Sequence, residues 1–111
     1  MSLRAQRILA AEGISVRVVD LRWLAPLPWE QLFEHAAASG RVLIVDECRH
    51  TGGGPSAHIL AGLVEHDASL VVRRVTSRDS FIPLGSAADT VLLQIDEILD
   101  AARSLVKEAR R

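Results

Sequence analysis

The side chains that could do chemistry crowd into one stretch, Gly40 to Ser56, which reads GRVLIVDECRHTGGGPS. Asp46, Glu47, Cys48, Arg49 and His50 stand together there, followed by three glycines. Carboxylates beside an imidazole suggest a metal site or an acid–base pair. The spacing opposes both readings. Neighbouring strand residues point to opposite faces, and the next histidine, His58, falls beyond the glycine turn. Salt bridges or subunit contacts suit these charges better. Cys48 is the single cysteine, so it closes no internal disulfide, and with no recognisable base beside it a half-buried thiol is expected. Ser80 and Ser86 lack the glycines of a nucleophile elbow. The Gly52–Gly54 turn resembles a phosphate cradle, because successive backbone amides and a following helix attract anions. A P-loop, however, needs a lysine and a hydroxyl after its last glycine, and a dinucleotide fingerprint needs a spaced third glycine; here Pro55 follows and removes an amide. No catalytic, cofactor-binding or metal-ligating residue is assigned, and a small nucleotide- or anion-binding module using this turn is the alternative.

The elements around that stretch must hold it at a sheet edge. Val42 to Val45 is a short apolar run, as in a parallel strand covered on both faces, and Asp46 to His50 follow at its carboxyl end, where open α/β sheets bind ligands and partners. Ser2 is expected to cap a first helix with Leu3, Ala5, Ile8 and Leu9 as its apolar stripe and Gly13 as its stop. Val16, Val18, Val19 and Leu21 predict a strand of about six residues. Arg22 to Pro28 holds two prolines and several apolar residues, so an ordered, packed loop is expected. Trp29, Leu32, Phe33 and Ala36 recur at helical spacing up to Gly40, and Ile59, Leu60, Leu63 and Val64 do so after Pro55. Leu70 to Val75, interrupted by Arg73 and Arg74, predicts a strand near the sheet edge. A long connection, Thr76 to Ala88, carries Asp79, Phe81, Ile82 and Pro83. Asp96 is expected to cap a last helix with Leu99, Ala102, Leu105 and Val106 inward and Lys107, Arg110 and Arg111 at the negative end of its dipole. Alternating strands and helices imply parallel strands joined by right-handed crossovers, hence a three-layer α/β/α sandwich with a mostly parallel sheet.

In that fold Glu47, Arg49 and His50 follow one strand end, while Asp79, Ser80 and Phe81 follow another, so the two groups should share one edge and form one patch. Phe81 and Ile82 are apolar loop residues that a monomer has no reason to display; burial against a neighbouring subunit or the domain's own core is expected. Composition fits one soluble domain spanning residues 1–111, with 49% hydrophobic and 24% charged residues. A formal net charge of −1 creates no field for nucleic acid or an acidic membrane. No apolar run approaches the roughly 18 residues of a membrane span, and a cytoplasmic protein is expected.

Three segments carry a resemblance: AAEGISVRVVDLRWLAPL at Ala10–Leu27, GRVLIVDECRHTGGG at Gly40–Gly54 and VRRVTSRDSFIPLG at Val72–Gly85. Together they resemble the carboxyl-terminal domain of the transketolase superfamily, on the beta-subunit side of the thiamine-diphosphate-dependent first components of 2-oxo-acid dehydrogenase complexes, pyruvate or branched-chain. The resemblance covers nearly the whole chain. It departs at Pro55, where the family has a spaced glycine, and at Pro28, where it has a small polar helix cap. It implies a parent enzyme that decarboxylates a 2-oxo acid on thiamine diphosphate and magnesium and passes the acyl group to a lipoyl arm. The cofactor sits in domains this chain does not contain, so the chain is expected to hold no cofactor and to be inactive alone. What remains is an oligomeric assembly and docking domain. Its implied partners are the other domains or subunits of the dehydrogenase and the subunit-binding domain of the acyltransferase, for which Asp79, Glu97 and Asp100 are acidic candidates. A transketolase or deoxyxylulose-phosphate synthase parent is the alternative within the superfamily. In the family a strand precedes the helix that begins at Ser2 and lies between the Val16 and Val42 strands. Its absence predicts a piece of a longer polypeptide that associates or rearranges its sheet when alone.

Overall fold

The computed structural model describes residues 1–52 and 54–108; Gly53, Arg110 and Arg111, named above, lie outside the described residues. The chain opens with helix α1, Ser2–Ala11, capped by Met1 and without a cap bond from the Ser2 hydroxyl. Ala5 and Leu9 are buried, whereas Leu3, expected inward, is exposed. Gly13 stops the helix in the left-handed region, φ 79°, and the N–H of Ile14 folds back onto the Leu9 carbonyl at 2.9 Å.

The sheet consists of β1, Arg41–Arg49, and β2, Val71–Ser77, running parallel with Val42 opposite Val72 and Val45 opposite Val75. Successive strand side chains point to opposite faces, and each face has its own core. Leu43, Val45 and Val75 pack against a cluster containing Ala5 and Leu9 of α1 and Ile98, Leu99 and Ala102 of α4, Ile95–Lys107. Val42, Ile44 and Val72 pack on the other side with Ala36 of α2, Trp29–Ser39, and Ile59 and Leu63 of α3, Ser56–His66. The three-layer α/β/α arrangement and the parallel pairing are therefore as expected, and among the described residues β2 pairs with β1 alone.

Three local expectations are corrected. Val16 to Leu21 forms no ladder among the described residues, although burial alternates residue by residue from Ile14 to Val19 as in an extended segment. A strand needs a neighbour for its backbone groups, and here the side-chain amide of Gln6 donates to the Val16 carbonyl at 2.7 Å instead. The loop before α2 is not packed throughout: Leu27 joins the core, but Trp23 and Leu24 face solvent. Helix α4 is capped by Gln94, not Asp96, in a capping box in which the Glu97 carboxylate accepts the Gln94 N–H at 2.8 Å. Between β2 and α4 a 3-10 turn spans Gly85–Thr90.

Candidate functional site

Helices α2 and α3 each carry the chain back to the start of the following strand, so the loop before α2, the turn before α3 and the loop after β2 gather at the carboxyl edge of the sheet. The Trp29 ring at the start of α2 meets the His58 ring edge-on at 5.4 Å, and that contact sets the start of α2 beside the first turn of α3. The ladder becomes irregular at this edge. Register passes from Asp46 opposite Thr76 to Arg49 opposite Ser77, so Glu47 and Cys48 bulge out of the pairing and the strand end is re-aimed.

Asp46 shapes the turn that follows. Its Oδ1 accepts the Cys48 N–H at 3.0 Å and its Oδ2 accepts the Ser56 N–H at 3.2 Å, closing both ends of the turn on one carboxylate. Burial pushes this carboxyl upward, but the hydrogen bonds from Cys48 and Ser56 outweigh it and hold it below the ordinary aspartate range. Cys48 moves the opposite way: its hydrogen bond to Asp46, then burial, then the charges of Asp46 and Glu47 push the thiol up. A protonated thiol beside two carboxylates is a poor nucleophile. Gly54 packs directly on this pair, where an added Cβ would lie 2.5 Å from Asp46 Oδ2 and 2.6 Å from Cys48 Cβ.

The same geometry answers whether the diphosphate implied by the resemblance fits this turn. It does not fit. The Ser56 amide at the start of α3 is already given to a carboxylate, whose charge occupies the position a phosphate would take and repels it. Among the described residues no three His, Cys, Asp or Glu side chains are grouped as metal ligands.

The expected site residues are placed as follows. Asp79 ties the two loops together, accepting the Thr51 N–H at 2.7 Å and the Thr51 hydroxyl at 2.6 Å, and these bonds lower its carboxyl pKa. Arg74 Nη1 donates to the His50 carbonyl at 2.9 Å, and the His50 ring lies 3.2 Å from the Thr76 hydroxyl. Arg49, Thr51, Asp79, Ser80 and Phe81 line one open concavity of about 680 Å³. Glu47 lines the adjoining one, of about 290 Å³, with Arg49, Arg78 and Ile82. Among the described residues Phe81 packs on nothing: it is 96% exposed, with Leu84 at 95%, Trp23 at 71% and Ile82 at 61%. Sequence reasoning gives no site role to Thr51, Arg78 and Leu84, and reads Arg74 only as an interruption of its strand. For Thr51 the available signal was a hydroxyl in a glycine turn, since Ser and Thr in turns commonly bond to nearby loop groups. The acidic docking candidates are engaged locally: Asp79 by Thr51, Glu97 in the capping box and Asp100 with Arg103 at 3.0 Å.

Comparison with known proteins gives a consistent picture. The chain is 37% identical over 116 residues to the 1-deoxy-D-xylulose-5-phosphate synthase of Anaeromyxobacter sp. (strain K), covering 98% of this chain and 18% of that protein. It is 29% identical over 111 residues to the pyruvate dehydrogenase E1 component subunit beta of Bacillus subtilis (strain 168), covering 96% of this chain and 33% of the relative. Among solved structures, one described as a split gene transketolase, inactive beta4 tetramer, superposes with a TM-score of 0.80 at 28% identity, covering 97% of this chain and 35% of that one. The chain thus spans between about a fifth and a third of the length of these relatives. The family model described as the transketolase C-terminal domain matches residues 1–108, and the chain belongs to that family.

Proposed function

We propose that the chain is the C-terminal assembly domain of a thiamine-diphosphate-dependent enzyme, holding no cofactor of its own and binding neighbouring domains or subunits through the carboxyl edge of its sheet. The observation that carries the reading is the exposure of Phe81, Ile82 and Leu84 on the loop that Asp79 pins to the glycine turn through Thr51, with Trp23 and Leu24 exposed as well on the loop that leads into α2. Exposed apolar clusters of this kind mark interaction sites. The parent reaction proposed from the resemblance is oxidative decarboxylation of a 2-oxo acid with acyl transfer to a lipoyl group, in the cytoplasm, with the acyltransferase subunit-binding domain as a further partner. Higher identity to the 1-deoxy-D-xylulose-5-phosphate synthases than to the E1 beta subunits favours a second parent, such a synthase.

Two measurements test the proposal. Calorimetric titration of thiamine diphosphate with magnesium into the chain is expected to give no saturable heat; a micromolar isotherm would place cofactor binding in this domain. In the full-length parent enzyme, Phe81→Ala is expected to weaken assembly and lower thermal stability. Unchanged assembly would remove the interface role.

A further inference from the structure

We propose that the His50 ring is a pH-sensitive latch on the glycine turn, bound to Arg74 while neutral and released toward Asp79 once it takes up a proton. Arg74 reaches from β2 with both ends of its guanidinium. Its Nη1 donates to the His50 carbonyl at 2.9 Å and lies 3.5 Å from the Ser56 hydroxyl, while Nη2 lies 3.3 Å from the His50 ring Nε2. A guanidinium stays charged and can only donate, so Nε2 must offer its lone pair. The proton of the neutral ring then sits on Nδ1, which stands 3.2 Å from Thr76 Oγ1 and donates to it. Of the two neutral tautomers and the cation, one form alone satisfies both contacts.

Protonation undoes this arrangement. An N–H at Nε2 would face the guanidinium N–H, so the bond is lost and two cations stand in contact. The opposite charge within reach is Asp79, in the loop after β2: bonds from Thr51 lower its carboxyl most, and the charge of His50 lowers it further. The cationic ring is therefore pushed from Arg74 and drawn to Asp79, and Arg74 keeps only the His50 carbonyl. On its own strand β1 brings Asp46, already held by the Cys48 and Ser56 amides, and the exposed Glu47 and Arg49. Helix α3 offers the Ser56 hydroxyl rather than a charge, and its His58 is turned to Trp29. Asp79 also ties the turn to the Phe81 loop through Thr51, so a cationic ring competes for the same carboxylate and loosens that tie. The edge is thus stiff near neutral pH and looser in mild acid, whichever parent enzyme the chain belongs to.

The test begins with long-range proton–nitrogen correlation of the histidine rings in the isotope-labelled 111-residue chain, with His50 assigned by its loss in His50→Gln. At about pH 8 the His50 ring is expected as the Nδ1–H tautomer, the form that unconstrained histidines disfavour. A mainly Nε2–H ring overturns the proposal. The second measurement is urea unfolding of Arg74→Met with and without His50→Gln, because glutamine places an amide oxygen near the position of Nε2 and does not titrate. His50 is exposed, so a modest effect is expected: Arg74→Met should raise the unfolding equilibrium constant about two- to fivefold more at about pH 8 than at about pH 5. In the His50→Gln background the two pH values should give the same ratio. An equal effect at both pH values with His50 present overturns the latch, and so does a pH difference that survives in His50→Gln, which would belong to another group. The tautomer is read on the unaltered chain and decides the matter even where Arg74→Met fails to fold.

Discussion

At Asp46 a single carboxylate accepts N–H groups from both ends of the glycine turn, and its removal should be felt locally and as a function of pH. In Asp46→Asn one oxygen can still accept, but the amide NH₂ then faces the other N–H, so a loss of about 1–2 kcal/mol is expected near neutral pH. Because folding holds this carboxyl below its ordinary value of 3.8, its contribution is complete above that value and is lost as pH falls through the still lower folded value. Urea midpoints of the two proteins should therefore differ at about pH 6 and converge at about pH 2; a constant gap would mean that the asparagine costs something other than ionised hydrogen bonding. Gly54 depends on the same pair. Gly54→Ala puts a methyl group against Cys48 Cβ, which cannot swing away as a long side chain can, and should cost about 1–3 kcal/mol by denaturant titration.

Between elements, the α2–α3 contact is a stack of rings. Trp29 lies on Phe33 with centroids 5.5 Å apart, Phe33 lies on His66 at 3.7 Å, and the indole covers Gly62 so closely that no Cβ fits there. Alanine at position 62 would gain up to about 1 kcal/mol in helix propensity. Displacing the indole should cost about 1–3 kcal/mol, so Gly62→Ala is expected to be destabilising overall. Tryptophan fluorescence during unfolding measures it, and a more stable variant would show that the ring moves aside freely. Helical periodicity identified each α-helix among the described residues because each must bury one stripe, but it overreached at helix ends. Leu3, Val64 and Val106 fit the spacing and are nevertheless exposed, since the packed layers do not extend that far. Gly62 carries no periodic signal, so its close packing on Trp29 is visible only in three dimensions.

For the molecule as a whole, β1 contains a run of four apolar residues, Val42 to Val45, that among the described residues pairs on one side, with β2, and is only half-buried. A strand of this composition is suited to two neighbours. Adding a strand-forming segment ahead of Ser2 is expected to raise the melting temperature and to reduce self-association through that edge, followed by light scattering. Equal stability and equal association in both forms would show that the edge is already satisfied.

The sequence by itself determined the three layers, the parallel pairing of the Val42 and Val71 strands and the edge on which Glu47, Arg49, His50, Asp79, Ser80 and Phe81 all emerge. Those follow from local periodicity and from the handedness of crossovers, which act within single elements or between adjacent ones. Tertiary structure alone decided that Val16 to Leu21 stays outside the ladder, that Asp46 serves as a turn clamp and that Thr51 is bonded to Asp79. Each depends on which group stands opposite in space: a strand exists only if a neighbour accepts its backbone bonds, and a carboxylate becomes a clamp only when two N–H groups converge on it.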